Sequence, residues 1–275
     1  MQTKHLLTFV AIAVLAGAIV SMTASGMFAQ ADNNMGEEEE DEIAELQGMD
    51  EEEDDDTEDE AEDEGEDENE FTSSFMAENC TFNSTGSNPF FILEPNYQLV
   101  LAGEEEGEQV ELIVTVLDET KQVNGTETRV VEERESVDGE LVEVSRNFFA
   151  ICEETNSVFY FGEEVDDYED GEIVGHEGAW LAGEDNATAG IMMPGTTLLG
   201  ARYYNEIAPD VALDRAEIIE DDEELETPAG TFENVLVIRE TTPLEPDVEE
   251  FKYYAAGIGL LQDEDLKLEE HGFIE

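Results

Sequence analysis

The chain has 275 residues, enough for one large domain or two small ones, and carries 75 Asp and Glu against 10 Lys and Arg, a formal charge of −65. That balance excludes nucleic acid as a partner, because neutralising phosphates needs a basic surface, and it excludes docking on an anionic membrane surface for the same reason. Hydrophobic residues make up 40% of the chain, with 14 Phe and 7 Tyr, so a packed core can form and the chain is not disordered throughout.

Lys4 and His5 precede an apolar run at residues 6–20, which leads into small residues and the triplet Ala29-Gln30-Ala31. This is a secretory signal pattern, and residues 1–31 are assigned to a signal peptide cut after Ala29 or Ala31. The run is shorter than the roughly 20 residues that span a bilayer unaided, although apolar character trails on to Phe28, so an uncleaved anchor is the alternative. No Cys lies near the cut and there is no twin Arg, which argues against a bacterial-type lipoprotein and for the general secretory route. The expected location is secreted or extracytoplasmic.

Residues 32–70 form an acidic tract: between Glu37 and Glu70, 24 of 34 residues are Asp or Glu, with Ile43, Leu46 and Met49 as the apolar candidates. No core can form there, and self-repulsion makes the tract an extended linker. A low-affinity reservoir for Ca²⁺ is the alternative, since dense carboxylates attract that ion without caging it. The remainder, residues 71–275, still holds 50 acids against 9 bases. Such a surface repels itself at low ionic strength and is screened by concentrated salt, so a salt-rich (halophilic) setting is expected, with a Ca²⁺-rich extracellular one as alternative.

Residues 71–275 read as one antiparallel β domain. Strands are predicted at 97–102, 109–117, 126–132, 141–150 and 158–162, then at 172–182, 200–207, 212–219, 232–240, 250–254 and 259–268. Gly103, Gly107, Asn124-Gly125, Asp138-Gly139 and Asp170-Gly171 supply turn signals between them. The best helical candidate, 205–215, is interrupted by Pro209. The expected fold is all-β, a curved antiparallel meander closed into a barrel or left as a half-barrel.

Sequons begin at Asn79, Asn83, Asn124 and Asn186, each with Thr two places on, and fit glycosylation of an exported chain. Cys80 and Cys152 are too far apart for a metal knuckle or a redox pair; a disulfide is the simplest reading and two buried thiols the alternative. From Asp166 to Glu177 the chain places acids at positions 1, 5 and 12 of a Ca²⁺-loop pattern, making Asp166, Asp170 and Glu177 candidate ligands. Tyr168 breaks position 3 and the flanks read as strands, so a hairpin turning at Asp170-Gly171 is the favoured interpretation. No cofactor is expected beyond that Ca²⁺. His176 with Met192 and Met193 has the chemistry of a soft copper site, but methionines beside Pro194-Gly195 read more simply as core fillers.

The chain has no nucleophile elbow, zinc-protease motif or phosphate loop, and no catalytic residue is assigned. Trp180, the only tryptophan, and the adjacent aromatics at 148–149, 159–161, 203–204 and 253–254 put one ring of each pair on either face of a sheet. Trp180, Tyr203 and Tyr253 are the candidates for a concave ligand groove.

Several blocks carry a resemblance: Tyr160-Phe161-Gly162-Glu163, the stretch from Gly175 to Gly183, Gly190-Ile191-Met192-Met193-Pro194-Gly195, Gly200-Ala201-Arg202-Tyr203-Tyr204, the stretch from Thr227 to Asn234, and that from Tyr253 to Leu260. Together they resemble a family of exported proteins of unknown function found in bacteria and archaea, over Cys80 to Leu268. The last two blocks are also similar to domains of the lipoprotein-carrier fold, a curved antiparallel sheet whose concave face holds lipid chains. The resemblance implies a fold and an exported location, and no catalytic residue. The expected function is therefore a secreted or surface-tethered, non-enzymatic binding domain for an apolar or amphiphilic ligand. Alternatives are a Ca²⁺-stabilised cell-surface module and, remotely, a hydrolase using His176 and Glu177.

Overall fold

The computed structural model describes residues 71–275. The expected signal segment 1–31 and acidic linker 32–70 lie outside the described residues. After a short 3-10 turn, Ala77–Asn79, the strands in chain order are β1 (Phe82–Asn83), β2 (Gly86–Asn88), β3 (Phe91–Leu93), β4 (Tyr97–Glu105), β5 (Glu108–Val123) and β6 (Thr126–Val137). Next come β7 (Glu140–Cys152), β8 (Val158–Glu169), β9 (Glu172–Gly175), β10 (Trp180–Leu181), β11 (Thr188–Met193), β12 (Arg202–Tyr204) and β13 (Glu206–Ile207). The last five are β14 (Arg215–Thr227), β15 (Gly230–Thr242), β16 (Glu245–Ala255), β17 (Gly259–Asp263) and β18 (Leu266–Phe273). No α-helix occurs among the described residues; at 208–212, inside the region with the best helical pattern, Ala208 and Ala212 instead pair across a tight turn.

Alternation explains the long strands. In β4, Tyr97, Leu99 and Leu101 are buried, and in β5 Val110, Leu112, Val114 and Val116 are, with Leu99 opposite Val114 and Leu101 opposite Leu112. One face of the ribbon is therefore apolar and the other carries the acids, which extends pairing well past the apolar runs. Asn124-Gly125, Asp138-Gly139 and Asp170-Gly171 all have positive φ at both positions, the geometry of type I′ turns, whose twist matches the strands they join.

The sheet runs β12-β14-β15-β16-β17-β18-β4-β5-β6-β7-β8-β11-β13. Its two ends, β12 and β13, are separated in the chain by Asn205 alone, so the sheet meets itself and forms a nearly closed barrel. Gly190 permits the closure: a Cβ there would lie 2.4 Å from the carbonyl oxygens of Tyr204 and Asn205. The choice between barrel and half-barrel thus falls to the barrel.

The N-terminal segment covers the outside of β7 and β8. The Cys80–Cys152 disulfide pins it, β1 pairs with the end of β7, and Phe82 packs edge-on against Phe159 and Phe161, each at 5.2 Å between ring centres. This is why Phe159 and Phe161 are buried although they face away from the barrel interior. The β2–β3 hairpin caps one end, with Phe91 stacked edge-on against the inward Phe149 and Asn88 Nδ2 donating to the carbonyls of Asn156 and Pro194.

Candidate functional site

The interior has two layers. Leucines, valines and aromatics fill the capped end, where the space between Phe91, Leu99, Val116, Tyr254 and Ile258 amounts to about 30 Å³, room for water but not for a lipid chain. The second layer is acidic: Glu133, Glu163, Glu206, Asp214, Glu240 and Asp263 are all buried, with fully buried Lys252 among them. Lys252 Nζ lies 2.7 Å from Glu240 and 3.9 Å from Asp263. Burial alone would lower the Lys252 pKa, but Asp263, Glu240 and Glu250 outweigh it and hold the pKa well above the ordinary lysine value. The carboxyls move the other way. Burial, reinforced by Glu143 and neighbouring acids, pushes Glu135 up to about 8, and burial lifts Glu133 well above the carboxylate range. Asn147 links part of the layer, donating to Glu133 Oε1 at 3.1 Å and accepting from the Tyr160 hydroxyl at 2.9 Å.

This acidic layer reaches the barrel surface at the seam. There, a cleft of about 260 Å³ opens between β8, β10, the turn at 184–187 and the segment 208–211. Trp180 forms one wall. It lies directly opposite Glu163 in the β8–β10 register, with its ring edge-on to Tyr160 at 5.1 Å. Close approach of the two strands needs Gly162, since a Cβ at its φ of 130° would meet the Trp180 carbonyl oxygen at 2.3 Å. Trp180 is 6% exposed and Glu163 3%, yet neither the indole Nε1 nor Glu163 Oε1 has a hydrogen-bond partner in the protein. Burial, with Glu143 and Glu133 nearby, raises the Glu163 pKa well above its usual range. At the seam itself, burial and the neighbouring Asp214 raise Glu206, while burial raises Asp214 to about 7 against a hydrogen bond with Glu206 that lowers it. Glu164, paired with Lys121, and exposed Glu184 and Asp185 complete an acidic rim around apolar Ala179, Leu181 and Val211.

Of the three groove candidates, Trp180 therefore lines a cleft, but the structure does not join it to Tyr203 and Tyr253 in one surface. Tyr203 is buried at the sheet end, within the field of interior Glu240. Tyr253 sits between the inward Lys252 and Tyr254 and so faces outward, where Glu223 and Glu220 act on it after its partial burial. At the capped end, where the lipid-carrier resemblance suggested an axial groove, the protein's own side chains leave about 30 Å³.

The loop candidates separate as well. Asp170 is at the β8–β9 turn; Asp166 pairs with His176 Nδ1 at 3.1 Å and with Arg146 at 3.7 Å; and Glu177 is held through its backbone N–H, which donates to Asp167. Asp166, Asp170 and Glu177 thus stand on a hairpin rather than in a cation cage. Among the described residues, the one cluster with metal-ligand spacing is Cys80, Cys152 and Glu154, whose sulfurs are already joined to each other. His176 has a 65% exposed side chain and contacts Val165 and Asp166, while Met192 and Met193 are buried in the core. Asn79, Asn83, Asn124 and Asn186 are all exposed, and Asn83 Nδ2 donates to Glu153.

Sequence reasoning missed Glu163, Glu133, Glu240 and Lys252 as interior groups. One signal was present: Lys252 stands between Phe251 and Tyr253 in a strand core, where alternation assigns it the same face as Tyr254.

No protein-family model matches the chain, and no curated protein matches it. A solved structure from Parabacteroides distasonis ATCC 8503, described as a putative lipoprotein, aligns with 70% of this chain and 99% of its own, at 14% identity and a TM-score of 0.29.

Proposed function

We propose that this protein is an extracytoplasmic, non-enzymatic binding domain that takes a small amphiphilic ligand at the barrel seam rather than along the barrel axis. The observation carrying this reading is the cleft of about 260 Å³ with Trp180 on one wall, apolar Ala179, Leu181 and Val211 beside it, and an acidic rim. The space at the capped end, about 30 Å³, is too small for a ligand, whereas an apolar cavity of about 150 Å³ already accepts benzene. The disulfide and the signal-like N-terminus support export, because such bonds persist in oxidising compartments.

Trp180 is the only tryptophan, so its fluorescence reports this cleft alone. Titrating the full chain with six-carbon alcohols, amines and carboxylic acids should give a saturable change in that emission for at least one class. Flat emission, together with no heat of binding across all classes, would overturn the reading.

A further inference from the structure

Resting on the binding reading above, we infer that a proton shared by Glu206 and Asp214 latches one wall of the seam cleft, so that the cleft holds its ligand in mildly acid solution and loosens as pH rises. The two residues bracket the turn at 208–212, which supplies Ala208, Pro209 and Val211 to the cleft. Backbone bonds tie this turn mostly to itself: Ala208 N–H donates to the Ala212 carbonyl at 2.7 Å and Ala212 N–H to the Ala208 carbonyl at 2.9 Å. The ladder beside it is short, since β13 pairs with β11 through Thr188–Ile207 and Ala189–Glu206. Holding the turn closed therefore falls to its two ends. There, Asn205 N–H donates to the Asp214 carbonyl at 2.8 Å and Asp214 N–H to Glu206 Oε1 at 3.3 Å.

The remaining link joins the side chains. Glu206 is fully buried and Asp214 is 3% exposed, and no N–H or hydroxyl reaches Glu206 Oε2 or Asp214 Oδ2. Two carboxyls in contact are satisfied when one carries a proton, and here Glu206 donates to Asp214; with both ionised they would repel. Tyr160 and Glu163 face the pair from β8 and Glu240 from β15, while Lys252 on β16 and the Thr242 hydroxyl act on Asp214. Lys252 is itself engaged by Glu240 and Asp263. Elsewhere, β11 has no ionisable residue, Arg202 on β12 pairs with Glu217 at 3.0 Å, and Arg215 lies over the Phe71 ring on the opposite face of β14 from Asp214. Opened to water, each carboxyl returns to about 4, so above that pH the closed turn binds more protons than the open one. Each pH unit then eases opening up to about tenfold for every proton released.

Amide hydrogen exchange of the ligand-free full chain at pH 5.5 and 8, corrected for intrinsic rates, tests the latch. Protection at Ala208, Val211 and Ala212 should fall about tenfold or more across that interval, and by more than in β4 and β5. In Glu206→Gln the side-chain amide donates to Asp214 without a titrating proton, so the same protection should hold at both pH values. Asp214→Asn, which donates to Glu206 instead, replaces it if circular dichroism shows Glu206→Gln unfolded. 1-Hexanol and hexylamine keep their charge between the two pH values, and whichever changes the Trp180 emission should bind about tenfold or more weakly at pH 8 in the wild type and equally in the variant. An unchanged turn in the wild type, or the same loss of protection in both variants, would overturn the latch and leave the binding reading standing. A loosened turn with equal probe affinity at both pH values would overturn its control of the cleft. Silence from alcohols, amines and carboxylic acids alike at pH 5.5 would remove the binding reading, with the exchange data still deciding the latch.

Discussion

Replacing Lys252 with Met removes the cation from an acidic interior while keeping an unbranched apolar side chain one atom shorter. At an effective dielectric of about 20, attraction across 2.7 Å to Glu240 is about 6 kcal/mol and across 3.9 Å to Asp263 about 4 kcal/mol. Desolvation of a fully buried ammonium offsets much of this, and breaking a buried pair by removing one partner leaves a net loss of about 3 to 5 kcal/mol. For a domain of this size, that corresponds to a fall in Tm of about 6 to 20 °C. The loss should persist in 1 M salt, because screening acts on exposed pairs and not on this one. It should shrink as pH falls, because burial raises the Asp263 carboxyl well above its usual value and lets it take a proton, and Lys252→Met combined with Glu240→Gln should recover part of it. Thermal unfolding of the full chain by circular dichroism, at fixed salt and at pH 4.5 and 7.5, reads all of this. A loss below about 1 kcal/mol at pH 7.5, or one unchanged by pH, would refute the buried-pair reasoning.

Glu135 and Asp214 have folded pKa values near 8 and 7, above their unfolded values, so the native state binds more protons in between. Stability is then fullest below about pH 4 and falls as pH rises toward 8, at up to about 1.4 kcal/mol per pH unit per group; Tm at pH 5.5 should exceed that at pH 8 in equal salt. Replacing Cys80 and Cys152 with Ser opens a loop with a sequence separation of 72, and denaturant unfolding should show a loss of about 4 kcal/mol, with the N-terminal segment exchanging amide hydrogens first. Because Asp166 is engaged by His176 and Arg146, chelator added at constant ionic strength should leave Tm unchanged, whereas a fall of several degrees would reinstate a Ca²⁺ loop at 166–177.

Much of the fold was legible because strand alternation and turn chemistry are local. Asn124-Gly125 and Asp138-Gly139 mark their hairpins unaided, and the alternation of Leu99, Leu101, Leu112 and Val114 gives the inner face. Strand lengths were less legible. The predicted strand 212–219 continues as β14 to Thr227 through a run of exposed acids, because its partner β15 supplies backbone bonds that composition cannot report. The seam was hidden for another reason: β12, Asn205 and β13 read as one strand, and only the long-range pairing of β12 with β14 and of β11 with β13 divides them. Of the site, Trp180 was legible as a lone large aromatic. Glu163 was not, since it is one acid among 75, and its burial is set by the register of β8 against β10.

Binding at the seam is tested most directly by the Trp180 indole N–H, because the chain contributes one indole resonance to a ¹H–¹⁵N spectrum. Titration with the six-carbon probe that changes the Trp180 emission should move that resonance saturably, with the largest companion shifts at Leu181, Ala187 and Ala208, and Val211→Phe, which narrows the cleft, should suppress the movement. Binding with a stationary indole resonance and shifts gathered at Phe91, Tyr97 and Ile258 would instead put the ligand at the capped end of the barrel and contradict the account.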